Sequence, residues 1–226
     1  MKQIVLIHTV QQMYLTFEQH LREAIRREIK INNILDTFFT SDTNERGYFS
    51  QHNLDRFYLT LKSAELTGCD TIVVLCSVLS QQVEKVAPFI SVPIIRIDER
   101  LGSEAIRYGN RVMVLASTAS AIEPTVHLVL AAAEKEKRNI SIDGRYDLDA
   151  FEAMMRGDME THDERIIQMG SKVHDADVIV YAQGSMEHTA PKVAEVSGLP
   201  VVTAPRLCIQ QIKEFVEKQS LTENII

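Results

Sequence analysis

Asp70-Thr71-Ile72-Val73-Val74-Leu75-Cys76-Ser77 and Asp177-Val178-Ile179-Val180-Tyr181-Ala182-Gln183-Gly184 follow one pattern, written twice in the chain. Each is an Asp, an apolar β-branched run, then a small or polar break, and the two stand 183 − 76 = 107 residues apart. Working outward, Val92-Pro93-Ile94-Ile95 and Leu199-Pro200-Val201-Val202 share that offset, as do the stretches Asn32 to Asp36 and Asn139 to Asp143. The openings Ile4-Val5-Leu6-Ile7 and Val112-Met113-Val114-Leu115 are offset by 112 − 4 = 108. Strand candidates in one order at nearly constant spacing indicate an internal duplication.

Between these strands lie segments with apolar residues at helical spacing, Phe17 to Ile29, Leu54 to Leu66, Pro124 to Lys137 and Asp163 to His174. Strands alternating with helices predict parallel sheets joined by right-handed crossovers. The uninterrupted apolar runs fit strands covered on both faces. The expected fold is therefore α/β, with two pseudo-symmetric Rossmann-like halves, each holding a four-stranded parallel sheet. Residues 1–98 plus 206–226 form the first half, with the last helix, Gln210 to Lys218, packed back on it; residues 99–205 form the second. In open parallel sheets ligands bind beyond the carboxyl ends of the strands. A cleft between the halves would then be lined by His8-Thr9, Cys76-Ser77-Val78, Ser117-Thr118-Ala119-Ser120 and Gln183-Gly184-Ser185.

The chain has 226 residues, 45% of them apolar and 24% charged, the balance of a globular protein. No window approaches the ~20 apolar residues of a membrane helix. The apolar run after Lys2 breaks at His8 with no small-residue cleavage site, so a first strand is expected there and not an export signal. A net charge of −7 gives no support for a nucleic-acid partner. The three cysteines, Cys69, Cys76 and Cys208, lack metal-ligand spacing, and so sparse a count suggests reduced thiols in the cytoplasm. No G-x-G-x-x-G or G-x-x-x-x-G-K-[ST] appears, which disfavours a nucleotide enzyme. A two-lobe binding protein is disfavoured by the absent export signal and by a cysteine at a ligand loop.

Cys76-Ser77-Val78 stands where members of the aspartate/glutamate racemase family carry Cys-Asn-Thr. Ala116-Ser117-Thr118-Ala119-Ser120, continued by Pro124-Thr125, stands for the family's Ala-Thr-x-x-Thr, and Ala182-Gln183-Gly184 for its Gly-Cys-Thr. In order and length the whole chain resembles that family. A subset of relatives is similar in carrying an Ala-Gln-x-Ser-Met run, here Ala182 to Met186. The resemblance implies two α/β halves, no metal and no cofactor, a small carboxylate or amino-acid substrate, and a homodimer among the expected assemblies. It also implies Cys76 as acid/base or nucleophile, with Thr9 as a carboxylate donor.

The chemistry supplies a reason for each part. Taking a proton from the carbon beside a carboxylate needs a base and fixed donors around the carboxylate oxygens. Ser77, Ser117, Ser120 and backbone N–H groups at helix starts would be those donors. A thiol at a helix start would have its pKa lowered into a useful range. Inversion needs a second proton carrier on the opposite face, and the amide of Gln183 carries none. Three readings stay open: a racemase or epimerase with His8, His188 or Tyr181 on the second face; a one-cysteine decarboxylase or cis–trans isomerase of a small diacid; and a relative that only binds. Gln183 would still hold substrate through its amide. Cys69 and Cys208 are expected to be structural, His127 to be packed or solvated, and Asp98 to cap a solvated helix start.

Overall fold

Runs of β-branched residues with both faces covered become the middle strands of a parallel sheet, and the chain has such a run in each half. The computed structural model describes residues 1–223. The first part of the chain runs β1 (Lys2–His8), α1 (Gln11–Ala24), β2 (Ile29–Leu35), α2 (Phe38–Arg46), α3 (Gln51–Glu65), β3 (Thr71–Val74), α4 (Ser77–Ser80), α5 (Val83–Val86) and β4 (Ile94–Arg96). It continues through α6 (Leu101–Ala105), β5 (Arg111–Ala116), α7 (Ile122–Lys135), β6 (Ser141–Tyr146), α8 (Leu148–Met155), α9 (Met159–Ser171), β7 (Val178–Tyr181), α10 (Ala190–Ser197), β8 (Val201–Val202) and α11 (Ala204–Glu223).

The strands form two four-stranded parallel sheets, ordered β2-β1-β3-β4 and β6-β5-β7-β8. The α/β class, the parallel sheets and the repeated connectivity are as expected from the duplication. By contacts the chain divides into one unit of Met1–Glu99 with the chain from Arg206 onward, and a second of Arg100–Pro205. Each has its own core. Val5, Ile7, Phe39, Phe57, Leu61, Ile72 and Val74 anchor the first, and Met113, Leu115, Ile166, Ile179, Tyr181 and Val193 the second.

The repeated Asp of the opening motif proves to be a clamp at the amino end of each sheet. Asp70 accepts from the Gln3 N–H at 2.8 Å and from Lys2 Nζ at 2.7 Å. Asp177 accepts from the N–H groups of Asn110 and Arg111 and from the Arg111 guanidinium, at 2.6–3.0 Å. Each Asp also donates its own N–H back to the strand it clamps, Asp70 to Gln3 and Asp177 to Arg111, both at 2.8 Å. The Arg111 side chain, followed by the two N–H groups, holds the Asp177 carboxyl down to about 2 from its ordinary 3.8. With the folded pKa lowered, the contribution to stability is whole above the unfolded value and is lost as pH falls toward 2. Asp177→Asn should lower the thermal midpoint at neutral pH and flatten this acid arm, with kcat unchanged, because the clamp is at the sheet edge away from the loops after the strands.

Several local expectations shift. The Phe17–Ile29 helix ends at Ala24, where Ile25 is already extended, and Ile29 opens β2 opposite Lys2. The helix of Gln210 to Lys218 starts at Ala204, because Pro205 in the first turn has no N–H to leave unpaired. Strand register also corrects one pairing of the repeat. Val5 faces Asn32 while its counterpart Met113 faces Asp143, so β2 and β6 correspond at 143 − 32 = 111, not 107. Asp98 is not a solvated cap: α6 is preceded by Arg100, and Asp98 is buried.

Candidate active site

The loops after β1, β3 and β4 meet at the carboxyl edge of the first sheet. Cys76 follows β3 in an extended conformation and opens α4, with its thiol almost wholly buried. Burial pushes the thiol pKa up; the Thr9 hydroxyl and the N–H groups of Leu79 and Val78 pull it down by less, and the Asp98 charge raises it further. The lowered pKa expected from a helix start is therefore corrected. A helix of four residues offers too little dipole to offset the loss of water around the sulfur. Cys76 is thereby held as a thiol that loses its proton less readily than an exposed cysteine.

Thr9 is buried beside this thiol, and its Oγ1 has no hydrogen-bond partner of good geometry. Ser77 is exposed at the first position of α4, and Val78 packs half-buried on the first core. His8 lies elsewhere. Val5 and Ile7 share the core that holds Cys76, so His8, one residue on, projects from the other sheet face. There its Nε2 bonds Asn33 Oδ1 at 2.9 Å, its ring meets Tyr14 edge-on, and burial lowers its pKa. Asn33 in turn donates to Glu18, which also accepts from Arg22, so His8 belongs to a chain tying α1 to the sheet.

The second unit repeats the arrangement with different chemistry. The β1–β3 bond from Leu75 N–H to Ile7 O has its twin in Ala182 N–H to Leu115 O, both 2.9 Å. Ser117 thus stands in the place of Thr9, and Gln183, also extended, in the place of Cys76. Gln183 Oε1 accepts from the Ser117 N–H at 2.7 Å and from Ser117 Oγ at 3.0 Å. With its oxygen so engaged, the amide presents its NH2, a donor pair. Ser117 is fully buried; Thr118 is half-buried and bonded by Ser120 Oγ at 3.4 Å, and Ser120 is exposed. Gly184 and Ser185 open a short 3-10 stretch, Gly184–Thr189, and both are half-buried.

The other sequence candidates fall away from these loops. Tyr181 is buried in the second core, bonds Thr189 Oγ1 at 2.9 Å and has its hydroxyl pKa pushed up by burial. His188 is exposed and pairs with Asp163 at 2.7 Å, and His127 faces solvent. Cys69 lies before β3, at the far sheet edge, with its thiol against Ala64 O. Cys208 is buried in α11. Among the described residues no His/Cys/Asp/Glu group is arranged to hold a metal ion, and no helix is long and apolar enough to cross a membrane.

Sequence reasoning missed Asp98 and Ser80 at the first loop edge. The signal was available in position. Val74 pairs with Arg96, and Cys76 and Asp98 each stand two residues past that pair, at neighbouring strand ends.

The model of the Asp/Glu/Hydantoin racemase family matches residues 12–212, nearly the whole chain. The chain belongs to the Asp/Glu/Hydantoin racemase family. No curated protein matches it by sequence. Among solved structures it is similar in fold to an aspartate racemase homologue from Pyrococcus horikoshii OT3, at TM-score 0.71 and 15% identity, covering 96% of this chain and 100% of that one. An allantoin racemase from Klebsiella pneumoniae gives TM-score 0.67 at 15% identity, with 97% and 89% covered. The Picrophilus torridus aspartate racemase gives 0.68 at 13% identity, with 92% and 91% covered. Membership of the Asp/Glu/Hydantoin racemase family makes this chain an isomerase of the racemase type, acting on a small amino-acid or carboxylate substrate.

Proposed function

We propose that the protein exchanges the hydrogen on the carbon beside a carboxylate, inverting that centre where water supplies the proton on the face opposite Cys76, with Cys76 as the acid/base thiol and no metal or cofactor required. The observation that carries this is the matched pair of strand-end positions: thiol with hydroxyl at Cys76 and Thr9, amide with hydroxyl at Gln183 and Ser117. In this reading Thr9 and Ser77 in the first unit, and Ser117, Ser120 and the Gln183 NH2 in the second, are donors suited to carboxylate oxygens, which gain charge as the α-hydrogen leaves. Thr118, Gly184 and Ser185 shape the same loops, and Val78 offers an apolar wall to the substrate side chain. His8, on the far sheet face, is left to hold α1 and takes no part in the proton transfers.

A second reading has its own support. A thiol protonated at rest, opposite in role to an amide that carries no proton, suits delivery of one proton to one face of a planar intermediate. Decarboxylation or cis–trans isomerisation of a small diacid would use such a site. Proton NMR in deuterium oxide with L- and D-aspartate, L- and D-glutamate and small diacids separates the two. Racemisation predicts loss of the α-hydrogen signal together with loss of optical purity by chiral chromatography. Exchange with optical purity kept assigns a one-face enzyme, and substrates left unlabelled throughout, with no product formed, would remove both readings.

A further inference from the structure

Strand register brings a second ionisable group to the Cys76 thiol. Parallel pairing of β3 with β4 sets Val74 opposite Arg96, and Ile97 N–H bonds Val74 O at 3.0 Å just beyond the paired residues. The chain then turns, Glu99 N–H bonding Arg96 O at 3.3 Å, and Asp98 sits in this turn at the strand end next to the one that Cys76 follows. Both are buried, at 8% and 5% exposure, and the Asp98 charge acts on the thiol. Ser80, at the end of α4, places its hydroxyl against the Asp98 carboxyl. Thr9 Oγ1, Ser80 Oγ and Asp98 Oδ1 are all buried, and none has a hydrogen-bond partner of good geometry. Buried polar atoms left unpaired are costly, and their gathering around one thiol is an arrangement that packing alone would avoid. At the place of Asp98, 205 − 98 = 107 residues on, the second unit has Pro205 in the first turn of α11, and at the place of Ser80 it has Glu187, which accepts from Thr203 Oγ1 at 3.0 Å.

We propose that Asp98 is the proton partner of Cys76, its carboxylate taking the thiol's proton to leave a thiolate and returning it in the reverse step. The S–H bond breaks, an O–H bond forms, and the single negative charge of the buried pair moves from oxygen to sulfur. Net charge inside the protein is unchanged, which suits a site that penalises charge. The Thr9 hydroxyl and the N–H groups of Leu79 and Val78 receive the thiolate. Burial first, and Glu99, favour the protonated carboxyl, while Ser80 and Arg96 favour the carboxylate, and the balance holds the Asp98 carboxyl above the ordinary aspartate range. Asp98 acts through Cys76 and is a positioning residue. The proposal rests on the reading of Cys76 as the reacting thiol.

The test is alkylation of Cys76 by iodoacetamide across pH, localised by peptide mass spectrometry, in the wild type and in Asp98→Asn, beside the α-hydrogen exchange rate of each. Removing the neighbouring negative charge should move the alkylation midpoint down by about one pH unit or more. Exchange should at the same time fall by ~10²-fold or more, because the acceptor is gone. Easier ionisation with slower turnover is a combination that a packing role does not produce. An unshifted midpoint, whatever the exchange rate, overturns the proposal. Where Asp98→Asn does not fold, carbon-13 NMR of the wild-type Asp98 carboxyl answers instead. A second inflection as Cys76 ionises, absent in Cys76→Ser, supports the pair; a single inflection in both overturns it. Full turnover in Cys76→Ser would remove the reacting-thiol reading, while the alkylation profile would still report whether thiol and carboxyl are coupled.

Discussion

Cys76→Ser should cut turnover by ~10²–10⁴-fold, the range in which a positioned acid/base group contributes. Ser is close in shape to Cys, and the site already offers the Thr9 hydroxyl and two backbone N–H groups to an oxygen placed there. Folding should therefore be almost untouched, and the thermal midpoint of the variant should lie close to that of the wild type. The controls sharpen the result. Cys69→Ser alters a thiol at the far sheet edge and Cys208→Ser one within α11, so both should keep wild-type turnover at saturating substrate. Full activity in Cys76→Ser would reassign the thiol to packing and detach the family's chemistry from this chain.

Gln183 should give the second largest effect, and two substitutions separate its roles. Gln183→Leu removes the acceptor of the Ser117 N–H and Oγ, leaving a buried donor pair that costs about 1–3 kcal/mol in stability. Gln183→Glu keeps an oxygen for Ser117 but replaces the outward NH2 with negative charge. If that NH2 grips the substrate carboxylate, Gln183→Glu should fold normally and raise KM on the order of 10²-fold, since hydrogen bonds to charged groups are worth about 1.5–3 kcal/mol. An unchanged KM would leave the amide as a loop brace only. Gln183→Cys, which restores the family's second thiol, removes the same acceptor and should lose stability as Leu does.

The fold was legible because burial on both strand faces writes itself as apolar runs, and duplication writes them twice at one spacing. The runs at Ile72–Val74 and Ile179–Val180 became β3, which pairs with β1, and β7, which pairs with β5. The β2–β6 offset was misjudged because β2 has only half-buried Asn32 and Asn33 at its centre, a stretch without an apolar signature. The candidate site was legible in the placement of its residues and less so in their chemistry. Residue type and place put Cys76, Thr9, Ser117 and Gln183 just after strands, where the structure has them, but the sign of the Cys76 pKa shift depended on how deeply the thiol is buried, which no motif records. His8 shows the limit from another side: the last residue of a strand faces whichever side the alternation dictates, and here that is the α1 side. Asp98 was hidden by company, since Arg96, Glu99 and Arg100 around it read as a solvated turn.

The first unit is discontinuous in sequence, with α11 returning to it after the whole second unit has been made. During synthesis the second unit has all its residues as soon as Pro205 is available. The first unit must wait, because the buried Cys208, Ile212 and Val216 follow Pro205 in the chain. The half that carries Cys76 can thus be completed only after every residue of the second unit, Gln183 among them, has been made.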